Sequence, residues 1–255
     1  RNREGIEKGT LKGFTRRERE MKFYVTKDVF EKIPDGKFGL VSVTGADNTG
    51  SNPEIQAFLQ ENVEKCTEFY TGKKVKNEPE LQPYREAFRN MGINPNRYMC
   101  AIEALMTRIA KGQGMPAINT IVDLGNGVSL KHHLPIGAHD LDTMIDGAFG
   151  VRVSEEGDTF LPFGAEEREP VEAGEVVYAT GSHVRTRRWT WRQGNEGMIT
   201  ENTSHMLYII DGFECNLEEV LAAREELAEL AEKYLGGTVK IGMIDKENME
   251  FETEL

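Results

Sequence analysis

Apolar positions along the chain change from short alternating runs to helical stripes, then back to alternation. MKFYVTKDVFEKI reads as a short strand and a short helix, and KFGLVSVTGADN as a strand running into a turn. NPEIQAFLQENVEKCTEFYTG reads as a helix in which Asn52 is the cap, Pro53 fits the first position and Gly72 is the stop. PELQPYREAFRNMGINPNRYMCAIEALMTRIAKGQG reads as two helices broken at Gly92 and Pro95. Leu81, Tyr84, Ala87 and Phe88 stripe the first helix, and Ile102, Leu105, Met106 and Ile109 the second, so both stripes belong to the core. Further on, FGVRV, TFLPF, EVVYA, RTRRWTWRQ and HMLYIID are strand patterns separated by Gly and Pro turns. NLEEVLAAREELAELAEKYLGG is a helix, with Asn216 as cap, Glu218 and Glu219 at its positive end and two glycines to stop it. TVKIGMID returns as a last strand.

This order predicts one α+β domain: helices first, then a β-rich half forming a twisted antiparallel sheet or sandwich, then a closing helix. A charged extension is expected over 1–20, the folded domain over 21–245 and a tail over 246–255. The extension, RNREGIEKGTLKGFTRRERE, has no apolar core or cleavage site, so it does not read as a signal peptide. It is either solvated or a basic arm.

Composition narrows the classes. The 255 residues carry a formal net charge of -12, and no apolar run approaches a bilayer span. An acidic balance argues against broad nucleic-acid binding but leaves room for one local basic patch. Cys66, Cys100 and Cys215 are odd in number and far apart, which suits a reducing cytoplasm better than a disulfide framework or structural zinc. HHLPIGAHD offers His132, His133, His139 and Asp140, but the spacing matches no usual metal site. No serine elbow or phosphate loop is present, and VTGADNTGSN reads as a turn.

Polar residues inside apolar segments are the candidates for chemistry. If INTIVDLGNGVSLKHH is a helix with a glycine break, Asn119, Asp123 and Asn126 fall on roughly one face, with Ser129 beyond. They form either a buried polar network or a binding surface. In LPIGAHDLD, Gly137 lets a ligand approach the main chain, while adjacent His139 and Asp140 point opposite ways on a strand. RRWTWRQG holds both tryptophans of the chain. Read as a strand, it presents Arg188, Thr190 and Arg192 on one face and Trp189, Trp191 and Gln193 on the other. One face then builds the core or a ligand wall.

PYREAFRNMGINPNRYMCAIEALMTRIAKG, PAINTIVDLGNGVSLKHHLPIGAHDLD, GEVVYA and RRWTWRQG followed by ITENT, in that order over about Phe23 to Gly212, resemble a known family. The chain resembles a standalone version of the editing domain of the bacterial phenylalanyl-tRNA synthetase beta chain, the B3/4 domain. The resemblance implies a single three-layer α+β domain around an unusual β-sandwich. It also implies hydrolysis of mischarged aminoacyl-tRNA in trans. Candidate substrates are tyrosine on phenylalanine tRNA and an analogue such as canavanine on arginine tRNA. A noncatalytic module binding tRNA ends or amino acids is the alternative, and a structural partner of a synthetase is a third reading.

The resemblance places His139 and Asp140 as catalytic candidates. It places Asn119, Asp123, Asn126, Ser129, Gly137, Glu167, Trp189, Trp191, Arg192 and Gln193 as substrate-binding candidates. Gly137 stands where the synthetase carries a histidine, and Glu166 or Glu167 stands near its pocket glutamate, so tyrosine specificity does not carry over. Asp140, Glu103 or a Trp face would receive a cationic side chain. No cofactor or metal is expected. The partner implied is the acceptor end of aminoacyl-tRNA, with loose association with a synthetase, and neither DNA nor membrane.

Overall fold

A computed structural model describes residues 20–255. The extension expected over 1–20 therefore lies outside the described residues, except Glu20, which opens the first strand.

The helices form where the apolar stripes place them: α1 Lys27–Lys32, α2 Pro53–Tyr70, α3 Gln82–Asn90, α4 Ala101–Ala110, α5 Thr120–His132 and α6 Leu217–Leu235. The side chain of Asn52 accepts from the amides of Glu54 and Ile55, which caps α2. Asn216 flanks α6, but its side chain accepts from Phe213 N behind it rather than from the helix ahead.

Twelve strands are described. They are β1 Glu20–Val25, β2 Gly36–Thr44, β3 Ile136–Asp140, β4 Ala148–Val153, β5 Thr159–Phe160 and β6 Glu169–Pro170. The remainder are β7 Val176–Thr180, β8 His183–Arg187, β9 Arg192–Gln193, β10 His205–Phe213, β11 Thr238–Ile244 and β12 Glu250–Glu254. One sheet is antiparallel in the order β11-β2-β10-β3; the other is mixed, in the order β12-β1-β4-β7-β8-β5-β6, with β9 on β8. The mixed sheet departs from the antiparallel expectation at β1–β4 and β5–β8, which pair in parallel. TFLPF contributes only two strand residues before Pro162. Residues 250–254, expected in a tail, pair with β1 along its length.

The central strands β2 and β10 of the antiparallel sheet are buried on both faces, and alternation along β10 shows how. Met206, Tyr208 and Ile210 pack with Val41, Val43, Leu124, Val128 and Val220, under α5 and α6. Leu207 and Ile209 join Phe38, Leu40, Phe23, Phe149 and Tyr178, against the mixed sheet. Helices, antiparallel sheet and mixed sheet thus make three layers.

Two local readings are corrected. Helix α5 runs unbroken through its glycines. A Cβ on Gly125 would meet Tyr208 Cε1 at 3.0 Å and one on Gly127 would meet Phe58 Cδ1 at 2.6 Å, so these glycines permit close packing on β10 and α2. RRWTWRQG is not one two-faced strand: residues 188–191 turn between β8 and β9, because Arg188 (φ 50°) and Trp189 (φ 58°) adopt the left-handed region. Glu175 holds this turn: Arg187 donates to both carboxylate oxygens at 3.1 and 2.9 Å, and Arg188 N to one at 2.8 Å.

Candidate functional site

Three cavities meet at Ile136 on β3, the edge strand of the antiparallel sheet. A recess of about 90 Å³ lies between β3, β10 and the β8–β9 turn, with Gly137, His139, Tyr178, Thr186, Thr190 and Asp211 in its walls. Gly137 and Gln193 also line an apolar cavity of about 310 Å³, beside the exposed side chains of Ile118, Phe163 and Met198. Asn126 links that cavity to a third, of about 470 Å³, walled by Ala104, Leu105, Arg108 and Gln113. The shared walls make one branched cleft.

The recess holds polar atoms of a kind that a protein core normally satisfies. His139 Nδ1, Thr186 Oγ1 and Thr190 Oγ1 are buried with no hydrogen-bond partner among the described residues. A larger cavity of about 530 Å³, lined by Ile33, Pro34, Pro79 and Phe213, contains none of the unpartnered buried side-chain atoms.

Asp211 sits in the wall of this recess, 4 % exposed. Its Oδ1 accepts from Trp189 Nε1 at 2.7 Å and Tyr178 OH at 2.5 Å, and its backbone carbonyl accepts from Tyr84 OH at 2.8 Å. No cation pairs with it among the described residues. Burial therefore pushes its carboxyl up to about 7, against the two hydrogen bonds that favour the anion. His139 lies stacked on Tyr178, ring centroids 5.6 Å apart, and against Phe149. Burial, helped by the nearby Arg185 cation, lowers its imidazole to about 3, so it is neutral at pH 7. Arg185 is itself fully buried. It donates to the Asp140 carbonyl at 2.7 Å and Thr143 Oγ1 at 2.9 Å, and burial lowers it to about 10.

The expected site residues divide into two groups. Asn126, Gly137, His139, Trp189, Trp191, Arg192 and Gln193 line the cleft. Trp189 is wholly buried, whereas Trp191 is half-buried with Tyr98 at its edge and Arg188 4.7 Å from its ring. Ser129 touches the third cavity, but its hydroxyl is committed to the Leu134 carbonyl.

Asn119, Asp123, Asp140 and Glu167 line none of the three. Asn119 caps α5 by accepting from Val122 N at 3.0 Å, and Asp123 accepts from Ile118 N at 2.8 Å; both serve the start of the helix. Asp140 closes a turn: its carboxylate accepts from Asp142 N, Thr143 N and Thr203 Oγ1. Glu167 is exposed in the loop before β6. Glu103 lies on another face of α4, paired with Arg85 at 2.5 Å. Asp211 and Thr186 escaped the sequence reading, and Thr190 entered it only as part of one face of the expected strand. The available signal was a lone acid in the apolar run HMLYIIDGF, where an unpaired carboxylate is costly.

The described residues hold no group of three or more His, Cys, Asp or Glu placed to bind a metal ion. No helix among them is long and apolar enough to cross a membrane.

The B3/4 domain family matches residues 83–236, more than half of the chain and all of the cleft's principal walls. The chain belongs to the B3/4 domain family. The B3/4 segment runs from α3 to the end of α6, so it includes α5, β3, the β8–β9 turn and β10. A solved N-terminal fragment of the phenylalanyl-tRNA synthetase beta subunit from Pyrococcus horikoshii is similar at 13% identity and a TM-score of 0.44. That alignment covers 98% of this chain and 57% of the fragment, so the chain spans little more than half of that relative's length. No curated protein matches the chain.

Proposed function

We propose that the chain hydrolyses the ester of mischarged aminoacyl-tRNA in trans, with the amino-acid side chain in the recess beside Asp211 and the terminal nucleoside in the apolar cavity. The observation that carries this reading is the recess itself. Three buried polar atoms without partners and a carboxyl near neutrality line a space of about 90 Å³, which opens past Gly137 and Gln193 into an apolar cavity. Membership of the B3/4 family supports it.

An aminoacyl ester is already reactive. Hydrolysis needs an oriented water, donors for the developing oxyanion and exclusion of the correct amino acid. At an imidazole value of about 3, His139 is too weak a base to take a proton at pH 7 and acts by orienting. Asp211, at about 7, accepts a proton or a donor group from the bound molecule. A side chain ending in N–H or O–H groups suits that wall, which fits both canavanine and tyrosine. The solvent-side partners are Trp191 and Arg192, at the mouth.

The committed carboxylate of Asp140 and the weak base His139 favour a second reading, a module that binds without turnover. One experiment separates them. The purified protein is incubated with tRNAs charged with correct, incorrect and non-protein amino acids, including tyrosine on phenylalanine tRNA and canavanine on arginine tRNA. Multiple-turnover loss of one ester, reduced at least about tenfold by Asp211→Asn, is expected. Binding with no ester lost across the panel would leave the noncatalytic module.

A further inference from the structure

A basic region of the acidic chain adjoins the cleft. Residues 73–113 hold eight Lys or Arg against four Glu, whereas the whole chain has a net charge of -12. The structure folds this segment into a recess of about 420 Å³ walled by Lys73, Lys74, Lys76, Arg85, Glu103 and Lys111. Lys74, Lys76 and Lys111 are exposed, and none has a carboxylate within 4.0 Å among the described residues. Lys22, Lys37 and Lys65 pair with carboxylates, and Lys27, Lys32, Lys240 and Lys246, which have no such partner among the described residues, line neither the cleft nor this recess.

The floor of this recess is rigid. Arg85, 5 % exposed, donates to the Pro95 carbonyl at 3.2 Å, to Asn96 Oδ1 at 2.7 Å and to Glu103 at 2.5 Å. Glu103, 2 % exposed, keeps its other oxygen unpartnered in the wall of the recess. Helix α4 connects the two sites. Ala101, Ala104, Leu105 and Arg108 line the cleft, while Glu103, Thr107, Ala110 and Lys111 line the basic recess. One helix, about 10 Å across with its side chains, is therefore the wall between them.

We propose that the face formed by Lys74, Lys76 and Lys111 receives the phosphate backbone of the RNA whose 3′ end enters the cleft, an inference that rests on the aminoacyl-tRNA reading of that cleft. A polyanion leaving the third cavity passes Arg108 and crosses α4 to reach these lysines. The chain's net charge of -12 disfavours a polyanion over its acidic surfaces. Unpaired lysines release counterions when they meet phosphates, so binding is strongly salt-dependent.

The test is fluorescence anisotropy of bulk uncharged tRNA over a series of salt concentrations. It compares the wild type, a K74Q/K76Q/K111Q variant and a charge-matched K22Q/K240Q/K246Q control. The first variant is expected to bind at least about tenfold more weakly and to flatten the slope of log K against log salt by about two to three, one step per lost phosphate contact. The control is expected to keep the wild-type slope. Equal losses in both variants, or none in either, would overturn the proposal. Hydrolysis of a 3′-aminoacyl adenosine ester, which lacks the RNA backbone, is expected to proceed at the wild-type rate in K74Q/K76Q/K111Q. If the wild type cleaves no ester but that variant still loses RNA affinity, the docking face stands and the hydrolase reading falls.

Discussion

Asp211 and His139 face the same small recess but respond to pH in opposite directions. The Asp211 carboxyl rises from an ordinary 3.8 to about 7 on folding. Between those values the folded state holds the extra proton, so this group's contribution to stability falls as pH rises, by ~4 kcal/mol in all. Asp211→Asn keeps an acceptor for Trp189 and Tyr178 and removes the titration. The variant is expected to gain melting temperature relative to the wild type at pH 8, with the gain shrinking towards pH 5. A difference independent of pH would contradict an elevated Asp211. His139 drops from 6.5 to about 3, so the unfolded chain binds the extra proton in that window and stability is lost as pH falls through it. His139→Phe, which removes the unpartnered Nδ1 and retains a ring against Phe149 and Tyr178, is expected to lose less stability than the wild type between pH 6.5 and pH 5.

At the scale of elements, the start of α5 separates structural polarity from functional polarity. Asn119→Ala removes the bond from Val122 N and is expected to cost about 1 kcal/mol, lowering the melting temperature by about 2–4 °C. Ester hydrolysis per folded molecule should be unchanged; a selective loss of turnover would return Asn119 to the site. Helical stripes and caps around Asn52, Gly92 and Pro95 were readable because spacing and chain-breaking residues act locally. The β8–β9 turn was not, because alternation alone does not show that Arg188 and Trp189 adopt positive φ, nor that Glu175 anchors them from the preceding loop. Asn119, Asp123 and Asp140 read as site residues because a capping side chain and a ligand-binding one look alike in sequence. Gly137, Gln193 and Asn126 were legible, since glycine on a strand and amides in apolar surroundings signal close approach. The recess needed Thr186 from β8, Thr190 from the β8–β9 turn and Asp211 from β10, which meet only in the fold.

The whole molecule joins a recess holding unpartnered polar atoms to an apolar cavity and a basic flank within one mixed sheet, one antiparallel sheet and their helices. The recess and the cavity share Gly137, so that position tests their joint use. Gly137 lies on β3 and is not among the positive-φ residues; an added Cβ would meet His139 Nε2 at an ordinary 3.4 Å. Gly137→Ala therefore fits the fold and places a methyl where the two spaces join. The decisive measurement is kcat/KM of this variant and the wild type, on the ester that the wild type hydrolyses, alongside their melting temperatures. The expected result is a loss of about 10-fold or more at an unchanged melting temperature, the scale of one methyl group in a binding pocket. Equal kcat/KM values for the two proteins would contradict hydrolysis at this junction.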